Sequence, residues 1–370
     1  MNNGIPDELA TVHYAGIDDA VRAIKKLGRG AFLVKLDIES AFKIVPIHPD
    51  DHHLLGMAWD GWYYYDKTLA MGLRSSCAIF ERVSTALEWI ARHKIHVKDL
   101  IHLLDDFLLF ASSFERSRSD KENFIRLCQI LQIPLAPDKM EGPATCMVFA
   151  GIELDTVKWE ARLPEDKKAK CIKQIRVLLQ KRKTTLRELQ SLIGLLNFCC
   201  QVVVPGRAFL RRLINMTIGA TKPFHHIRLT QSAQADLLAW LEFLDAFNGR
   251  AFFLSDVWLS SEVLHLYTDA AGAYGYAGIF QDEWFYGVWP DSWLGKDITV
   301  KELYPIVASL HLWSDRLANQ PIVLHTDNMA IVHIINKMSS KDCHVMILIR
   351  KMVVICMQKN IYVKAEHGIP

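Results

Sequence analysis

The sequence lacks the features that mark zinc ribbons, secreted scaffolds and membrane proteins. Its eight cysteines form no Cys-x-x-Cys pair, and only Cys199 and Cys200 are close neighbours. This pattern argues against a zinc ribbon and against a disulfide framework. No run reaches the roughly 18 apolar residues that a membrane helix needs, and the opening MNNGIPDELA lacks the basic and apolar regions of a signal peptide. We therefore expect an intracellular protein, nuclear or cytoplasmic, with no membrane partner.

The sequence also lacks a strong net charge. Its 43 Lys and Arg residues nearly balance 41 Asp and Glu residues, which leaves a formal net charge of +2. Any affinity for nucleic acid must therefore come from local patches. With 370 residues, of which 51% are hydrophobic, the chain is too long for one ordinary core, so we expect two or three globular domains.

Two adjacent aspartates interrupt the apolar run LLDDFLLF at 103–110. Burying either carboxylate is costly unless something compensates it. Asp37 also ends an apolar strand, predicted at 32–36, so the three carboxylates converge if the strands are neighbours. Mg²⁺ prefers oxygen ligands, and two such ions about 3.5–4 Å apart activate a hydroxyl and stabilise a leaving pyrophosphate. The alternative is that Asp105 and Asp106 lie in an exposed hairpin turn, where burial costs nothing.

Apolar spacing and turn residues predict alternating strands and helices in the first half of the chain. Asp60-Gly61 is a strong signal for a two-residue hairpin turn, and Thr185 with Glu188 forms a capping box that opens a helix. The predicted elements are a hairpin within 59–73, helices at 75–93, 115–131 and 166–183, and a strand at 149–155.

A further region of the chain, called the third region below, begins near residue 261, and its pattern predicts an α/β sandwich. The order is three short strands, a helix with Pro305 near its first turn, a strand, two helices and a strand. Asp269 and Asp327 each end a strand, and Glu302 lies in the first turn of the helix. Taken singly, each acid reads equally as an ordinary strand-end or helix-cap residue.

The residues between 165 and 216 are strongly basic. Twelve Lys or Arg residues stand against three acids, a local balance of +9. Such a segment is typical of helices that follow a duplex backbone through phosphate contacts. The alternative is a solvated amphipathic helix.

Five stretches of the chain, in order and with consistent spacing, resemble successive palm motifs of reverse transcriptases. The likeness is greatest to the DIRS-type retrotransposons, and it extends to two further stretches, so that it covers nearly the whole chain. The five stretches are KLDIESAF at 35–42, LAMGLRSSCAIF at 69–80, IHLLDDFLLF at 101–110, PLAPDKMEGP at 134–143 and FAGIELDT at 149–156; the further two are LQSLIGLLNF at 189–198 and PGRAFLRRLI at 205–214.

The resemblance implies catalytic roles for the acids. In the first region Asp37, Asp105 and Asp106 match the metal-binding triad, and Phe42 matches the aromatic steric gate that packs under the deoxyribose. The alternative is that Phe42 is a core aromatic. In the third region the acids resemble those of ribonuclease H, which uses carboxylates and two magnesium ions to cut RNA in an RNA–DNA hybrid. The matched residues there are Asp269, Glu302 and Asp327.

Further residues match positions that contact the nucleotide or the nucleic acid. The loop at 71–74 matches one that lies against the incoming nucleotide and the template, and Lys139 matches a lysine near the nucleotide phosphates, although it could be a solvated turn lysine. The nucleotide-binding residues implied are Phe42, Met71, Gly72, Arg74 and Lys139. Those implied to bind nucleic acid are Leu103, Lys167, Lys170, Lys173, Arg176, Arg207, Arg211 and Arg212.

The chain departs from the family pattern in three places. Leu103 replaces the usual aromatic that contacts the primer end. Only 36 residues precede Asp37, so the fingers are short, with Lys25, Lys26 and Arg29 as the nearby basic residues. The end, EHGIP, stops before the position of a fourth ribonuclease H carboxylate. We therefore expect a sequence truncated at both ends.

These observations predict a right-hand polymerase fold followed by a ribonuclease H-like α/β domain. The expected domains are fingers and palm at 1–163, a basic helical thumb and connection at 164–260, and the ribonuclease H-like domain at 261–370. The expected activity is RNA-directed DNA synthesis with weak or lost hybrid cleavage, using two Mg²⁺ ions per site, with Mn²⁺ as an alternative. The expected partners are an RNA template, a DNA primer, their hybrid and deoxynucleoside triphosphates. Two alternatives remain, an inactive remnant that only binds nucleic acid and a protein that is only a nuclease.

Overall fold

The computed structural model describes residues 2–246, 251–252, 258–359 and 361–368. The chain divides into two units, Met1–Pro164 and Glu165–Pro370. The predicted domain boundaries stay predictions, and part of the predicted thumb range, 247–250 and 253–257, lies outside the described residues. So do Ile369 and Pro370, the last two residues of the end EHGIP. No helix of the described residues is long and apolar enough to cross a membrane.

The described residues of the first unit form three α-helices and nine strands, besides short 3₁₀ segments. The helices are α1 (Ile17–Leu27), α2 (Ser76–Lys94) and α3 (Phe114–Ile130). The strands are β1 (Phe32–Asp37), β2 (Gly56–Trp59), β3 (Trp62–Tyr65), β4 (Leu100–Leu103), β5 (Asp106–Ala111), β6 (Glu141–Ala144), β7 (Cys146–Phe149), β8 (Ile152–Asp155) and β9 (Glu160–Arg162).

A four-stranded antiparallel sheet, in the order β4-β5-β1-β6, forms the centre of this unit. Side chains alternate between the two faces of each strand. Val34 and Leu36 of β1 and Phe107 and Leu109 of β5 therefore share one face, and they join a buried cluster that includes Phe80 of α2 and Phe124 of α3. The opposite face carries Lys35, Asp37 and Asp106. The sheet thus packs one apolar face under helices, and the acids lie at the strand ends of the other face, which is buried further along at Leu33, Leu108 and Phe110.

Most elements predicted for the first unit are confirmed. Asp60 and Gly61 form the two-residue turn between β2 and β3, and both have positive φ. The single strand predicted at 149–155 is wrong, because two strands, β7 and β8, meet there in a hairpin. Ala150 and Gly151 form its turn with φ values of 46° and 79°, a conformation that is usual for glycine and uncommon for alanine.

The second unit begins with helices and ends with two small sheets. Its helices are α4 (Glu165–Leu179), α5 (Leu186–Cys199), α6 (Arg211–Met216), α7 (Gln231–Ala246), α8 (Ser261–Leu264), α9 (Asp291–Leu294), α10 (Ile298–Leu312), α11 (Met329–Lys337) and α12 (Cys343–Gln358). Its strands are β10 (Lys183–Thr185), β11 (His226–Arg228), β12 (Ala251–Phe252), β13 (Leu259–Ser260), β14 (Leu266–Ala270), β15 (Gly275–Phe280), β16 (Glu283–Val288), β17 (Pro321–Thr326) and β18 (Tyr362–His367).

The order predicted from residue 261 onward is confirmed, with β14, β15 and β16 followed by α10, β17, α11, α12 and β18. The strands form two three-stranded sheets. The first is antiparallel, in the order β14-β15-β16, and the second is parallel, in the order β13-β17-β18. Helix α10 packs against β14, β15 and α12, so it lies over the first sheet.

Two helix predictions in this unit need correction. The basic helix ends at Leu179 instead of 183, because Lys183 already belongs to β10 and pairs with Arg228 of β11. Pro305 is the eighth residue of α10 instead of a first-turn residue. The helix starts earlier than predicted because Asp297 caps it, its side chain accepting a hydrogen bond of 2.8 Å from the Thr299 N–H.

Candidate active sites

Asp37 and Asp106 lie directly opposite each other in the central sheet of the first unit. Asp37 is the last residue of β1 and Asp106 the first of β5, and the antiparallel register pairs them. Asp37 is only 5% exposed, and Asp106 is half-buried. Leu103, the last residue of β4, lies opposite Asp106 on its other side. The register of two strand pairs therefore fixes these side chains on one face.

Asp105 lies in the tight turn between β4 and β5. Leu104 precedes it with a φ of 54°, and the Asp105 carbonyl accepts a 3.0 Å hydrogen bond from the Ile38 N–H, just beyond β1. Asp105 is half-buried as well, so an exposed turn does not describe these acids. The structure brings together Asp37, Asp105 and Asp106, which we call the first acid cluster.

Burial and mutual repulsion shift the protonation of this cluster. Burial, reinforced by the charges of Asp37 and Asp105, raises the pKa of Asp106 to about 6. Burial also raises the pKa of Asp105, and the charge of Asp37 adds to it. Lys139 supplies the nearest positive charge, since its Nζ donates to both carboxylate oxygens of Asp37 at 3.0 and 3.1 Å. This contact in turn raises the pKa of Lys139.

The first acid cluster fits a hard divalent cation. Carboxylate oxygens are the donors that Mg²⁺ prefers, and three carboxylates meet here beside one lysine. Burial, and after it the repulsion between the carboxylates, raises the pKa values of Asp105 and Asp106 even with the lysine nearby. A bound cation would offset this repulsion.

The residues predicted to contact a nucleotide lie in separate segments. Phe42 follows β1 in a short 3₁₀ turn, partly buried, with its ring edge-on to Phe80 at a centroid distance of 5.7 Å. The structure thus places Phe42 at the edge of the core, packed against the buried cluster. Met71 is exposed, and Gly72 has a φ of 85°.

The loop at 71–74 is attached to the N-terminal segment. Asn2 donates from Nδ2 to the Gly72 carbonyl at 3.0 Å and accepts from the Arg74 N–H at 3.0 Å. The Arg74 guanidinium donates to the Ile5 carbonyl at 3.1 Å and pairs with Asp7. These contacts fix the loop, so the predicted role of Arg74 in nucleotide binding would require it to exchange partners.

The acids predicted in the second unit line one cleft of about 450 Å³. Asp269 comes from β14, Glu302 from α10, and Asp327 follows β17. We call them the second acid cluster. Asp269 and Asp327 are exposed and Glu302 is partly buried. The structure brings the three to a common cleft without placing them on one sheet.

Sequence reasoning missed Asn328, which supports the second acid cluster. Its Nδ2 donates to Glu302 Oε2 at 2.8 Å, while its Oδ1 accepts from the Ala330 and Ile331 N–H groups at the start of α11. One side chain therefore caps a helix and orients a candidate catalytic acid. Its position, directly after Asp327 and before an apolar helix, is a recognisable N-cap signal.

Helix α4 presents a basic face. Lys170, Lys173 and Arg176 are exposed and recur every third residue, so they lie along one side of the helix. Arg176 is also 4.0 Å from a carboxylate oxygen of Asp245. Lys167 lies at a different position, with its Nζ 4.4 Å from the centroid of the Phe198 ring.

The three predicted arginines near α6 have different surroundings. Arg207 is exposed, and Arg211 is partly buried. Arg212 donates to the Ser232 carbonyl at 2.7 Å and to the buried Asp236 carboxylate at 3.2 Å. Arg350 of α12 also pairs with Asp236 at 3.0 Å. Arg212 therefore belongs to an internal ion network of the second unit.

Comparison with known proteins gives a structural likeness alone. No protein-family model and no curated protein match the chain. A solved structure of the foamy viral protease-reverse transcriptase dRH with double-stranded DNA aligns with a TM-score of 0.52 at 16% identity, over 100% of this chain. The foamy viral protease-reverse transcriptase with an RNA/DNA hybrid aligns with a TM-score of 0.49 at 16% identity, over 92% of this chain and 44% of that one.

The likeness defines the fold. The chain has a mixed α/β fold in more than one unit, similar to that of a viral reverse transcriptase. It spans 62% of the length of the first solved chain. The finer assignment to DIRS-type elements stays a prediction.

Proposed function

We propose that this protein is an RNA-directed DNA polymerase of a DIRS-type retroelement with an attached ribonuclease H-like domain. The observation that carries the proposal is the pairing of Asp37 with Asp106 across β1 and β5, with Asp105 beside them. An arrangement that concentrates three carboxylates on a half-buried sheet face is costly for stability and useful for phosphoryl transfer. The fold similarity to a viral reverse transcriptase supports the same reading.

The residues of the first acid cluster would position the reacting groups. Asp37, Asp105 and Asp106 would hold Mg²⁺, with Mn²⁺ as an alternative, and the ions would stabilise charge on the attacking and leaving oxygens. Lys139 reaches Asp37 from outside the cluster and is more than half exposed, so its ammonium would pair with a triphosphate by giving up part of its contact with Asp37. Phe42 would limit the space under the sugar of a deoxynucleoside triphosphate.

The second acid cluster would cut the RNA strand of a hybrid. Asp269, Glu302 and Asp327 would hold magnesium at the cleft, with Glu302 oriented by Asn328. Because two of the three acids are exposed and all three come from different elements, ion binding there should be weaker than at the first cluster. We therefore propose weak hybrid cleavage, and robust cleavage by this chain would contradict it.

An RNA template, a DNA primer and their hybrid are the proposed partners. The exposed basic face of α4, Lys170, Lys173 and Arg176, is suited to phosphate contacts. None of these three residues belongs to either acid cluster. The same face would therefore also serve an inactive remnant that only binds nucleic acid. That remnant is the second candidate function.

Primer extension on an RNA template, with Mg²⁺ and deoxynucleoside triphosphates, separates the two functions. We compare the protein with an Asp105→Ala, Asp106→Ala double variant. The matched control is Asp50→Ala, Asp51→Ala, which removes an adjacent pair of exposed aspartates in the same unit. We expect extension to fall about 10³-fold in the first variant and to persist in the control. A folded protein that binds the hybrid without extending it would be the remnant.

A further inference from the structure

Ser84 is a polar residue on the buried, mainly apolar stripe of α2. Phe80 and Leu87 lie on the same stripe, and all three residues are at most 2% exposed. A buried hydroxyl costs stability unless it finds a hydrogen-bond partner. Serine and threonine within a helix often bond back to the carbonyl four residues earlier, as Thr85 does with Glu81 at 2.8 Å. The partner of Ser84 is different.

The Ser84 hydroxyl reaches out of its own helix and donates to the Leu104 carbonyl at 2.7 Å. Leu104 is the first of the two residues that connect β4 to β5, and Asp105 of the first acid cluster is the second. The Asp105 carbonyl accepts its own hydrogen bond from the Ile38 N–H. Both carbonyls of the turn therefore have a partner on another element, which fixes the turn from two sides.

The bond from Ser84 holds the peptide unit between Leu104 and Asp105. The atoms of this unit, from one Cα to the next, lie close to one plane. Rotation of the central peptide interconverts type I′ and type II′ turns, and the second central residue has positive φ in type I′ alone. Such a rotation would change the backbone of Asp105 and redirect its carboxylate.

Leu104 makes the orientation of this peptide dependent on outside support. Its φ is 54°, and hairpin turns with positive φ at the first central residue usually carry glycine, asparagine or aspartate there. A leucine in this region persists only where its surroundings hold it. We propose that Ser84 is a positioning residue of the first acid cluster, whose hydroxyl holds the Leu104–Asp105 peptide in one orientation and so aims the Asp105 carboxylate at a divalent cation.

Helix α2 is itself fastened to β4, which makes Ser84 a rigid support. His102 of β4 is buried, and its two ring nitrogens lie 2.5 Å from a carboxylate oxygen of Glu88 and 3.1 Å from one of Glu81. These two glutamates lie about one helical turn on either side of Ser84. Arg92 also donates to Glu88 at 2.8 Å. A positioning group is effective when its own place is fixed by packing and hydrogen bonds.

The inference rests on the proposed function, since it assigns a cation to Asp105. It goes beyond that function because Ser84 contributes no carboxylate and acts through the backbone. Partners that orient metal ligands without touching the ion typically change metal affinity or activity about 10–100-fold when they are removed.

Mn²⁺ binding, followed by the electron paramagnetic resonance signal of the free ion, tests the inference. The binding that Asp105→Ala with Asp106→Ala eliminates belongs to the first acid cluster. We expect Ser84→Ala to weaken this binding about 10-fold and to lower primer extension about 10–100-fold. Ser84→Thr keeps the hydroxyl and should restore most of both.

Thr156→Val is the matched control. Thr156 is fully buried, and its hydroxyl donates to the Ala31 carbonyl at 2.7 Å, at the opposite end of β1 from Asp37. The control should lower the melting temperature, as Ser84→Ala does, without changing Mn²⁺ binding. If circular dichroism shows that Ser84→Ala does not fold, Ser84→Cys serves instead. Its thiol is a weak donor, so Mn²⁺ binding should weaken in the same direction by a smaller factor.

Three results would overturn the inference. One is a folded Ser84→Ala protein with unchanged Mn²⁺ binding. Another is an equal weakening of Mn²⁺ binding by Thr156→Val. The third is a folded Ser84→Thr protein that binds Mn²⁺ as poorly as Ser84→Ala. A parent protein that binds Mn²⁺ at the first acid cluster and extends no primer would contradict the polymerase alone, and Mn²⁺ binding would still decide the role of Ser84. A parent protein without such binding would contradict both.

Discussion

Each of the two acid clusters brings three carboxylates together, but by a different structural means. The first uses strand register, which sets Asp37 opposite Asp106 on one half-buried face. The second uses a cleft between separate elements, with Asp269 and Asp327 exposed and Glu302 held by Asn328. A site built on register is assembled before any ligand arrives, and its repulsion is a cost to stability until a cation binds or the acids are protonated. In a site built on a cleft the carboxylates repel one another less, and the bound ligand has to order more of the side chains.

The largest expected effect tests whether the two clusters act independently. Asp106→Asn should reduce primer extension about 10³-fold and leave hybrid cleavage unchanged. Glu302→Gln should remove the cleavage and leave extension unchanged. Both activities are measured on the same labelled hybrid. If either substitution lowers both activities, the clusters are coupled and the comparison fails.

A smaller effect is expected at Lys139, the lysine that contacts Asp37 of the first acid cluster. Lys139→Met removes the ammonium that bonds both oxygens of Asp37. We expect extension to fall about 10–100-fold, and added Mg²⁺ to raise the melting temperature more than it does for the unchanged protein, since the ions would replace the missing charge. Asp138→Asn, on the adjacent exposed residue, is the control. A smaller magnesium response in Lys139→Met would contradict this reading.

The repulsion in the first cluster should be visible as a dependence of stability on pH. The folded pKa of Asp106 is raised to about 6 from the ordinary value of 3.8, so its contribution to stability is present below pH 4 and is lost as pH rises through 6. Without metal, Asp106→Asn should therefore increase the free energy of unfolding by about 1–2 kcal/mol at pH 7. That gain should vanish between about pH 6 and pH 4.

Urea titrations in the presence of a chelator measure this difference. Asp50→Asn, at an exposed aspartate of the same unit, serves as the control and should show no comparable gain. A variant less stable than the parent at pH 7 would mean that the aspartate is stabilising, and the cost attributed to the register-built site would be wrong.

The smallest effect concerns Glu188, a carboxylate outside both clusters. Its pKa is lowered whereas that of Asp106 is raised, so their contributions to stability should change with pH in opposite directions. Hydrogen bonds from Lys181 and from the Thr185 N–H hold the pKa of Glu188 at about 2. Its contribution is present above pH 4.5 and is lost as pH falls toward 2. Glu188→Gln should cost about 0.5 kcal/mol at neutral pH, a small value because the side chain is half exposed. The same titrations should show this loss fading on acidification, opposite to Asp106→Asn.

Sequence predicted the first cluster well because its geometry is local to strand ends. An acid that ends one apolar strand and another that begins a second strand lie on one face when the strands pair with these residues opposite each other, as Asp37 and Asp106 do. The Lys139–Asp37 contact was beyond such reasoning, since it joins residues 102 positions apart through a 3₁₀ turn without periodicity. Asn328 had a capping signal, but its bond to Glu302 depends on how α10 and α11 pack.

The fold was predictable where turn residues were conventional and less so elsewhere. Asp60-Gly61 predicts its hairpin correctly. Ala150-Gly151 gives no comparable turn signal, because alanine seldom adopts a positive φ, so one strand is predicted where a hairpin lies. Pro305 predicts a position near a helix start, but it lies inside α10. There the packing of α10 against two strands and a helix outweighs the backbone hydrogen bond that proline cannot donate.

The two-residue turn between β4 and β5 determines which kind of mutation destroys the first cluster. Substitutions at Leu104 keep the spacing between Leu103 and Asp106, which pair in register. Deleting or inserting one residue there forces one strand to slip, and a one-residue slip turns every side chain of that strand to the opposite face. The geometry of the first cluster should therefore tolerate substitution of Leu104 but not a change in the length of the turn. Small insertions and deletions in this turn, even those that keep the reading frame, would therefore abolish the site.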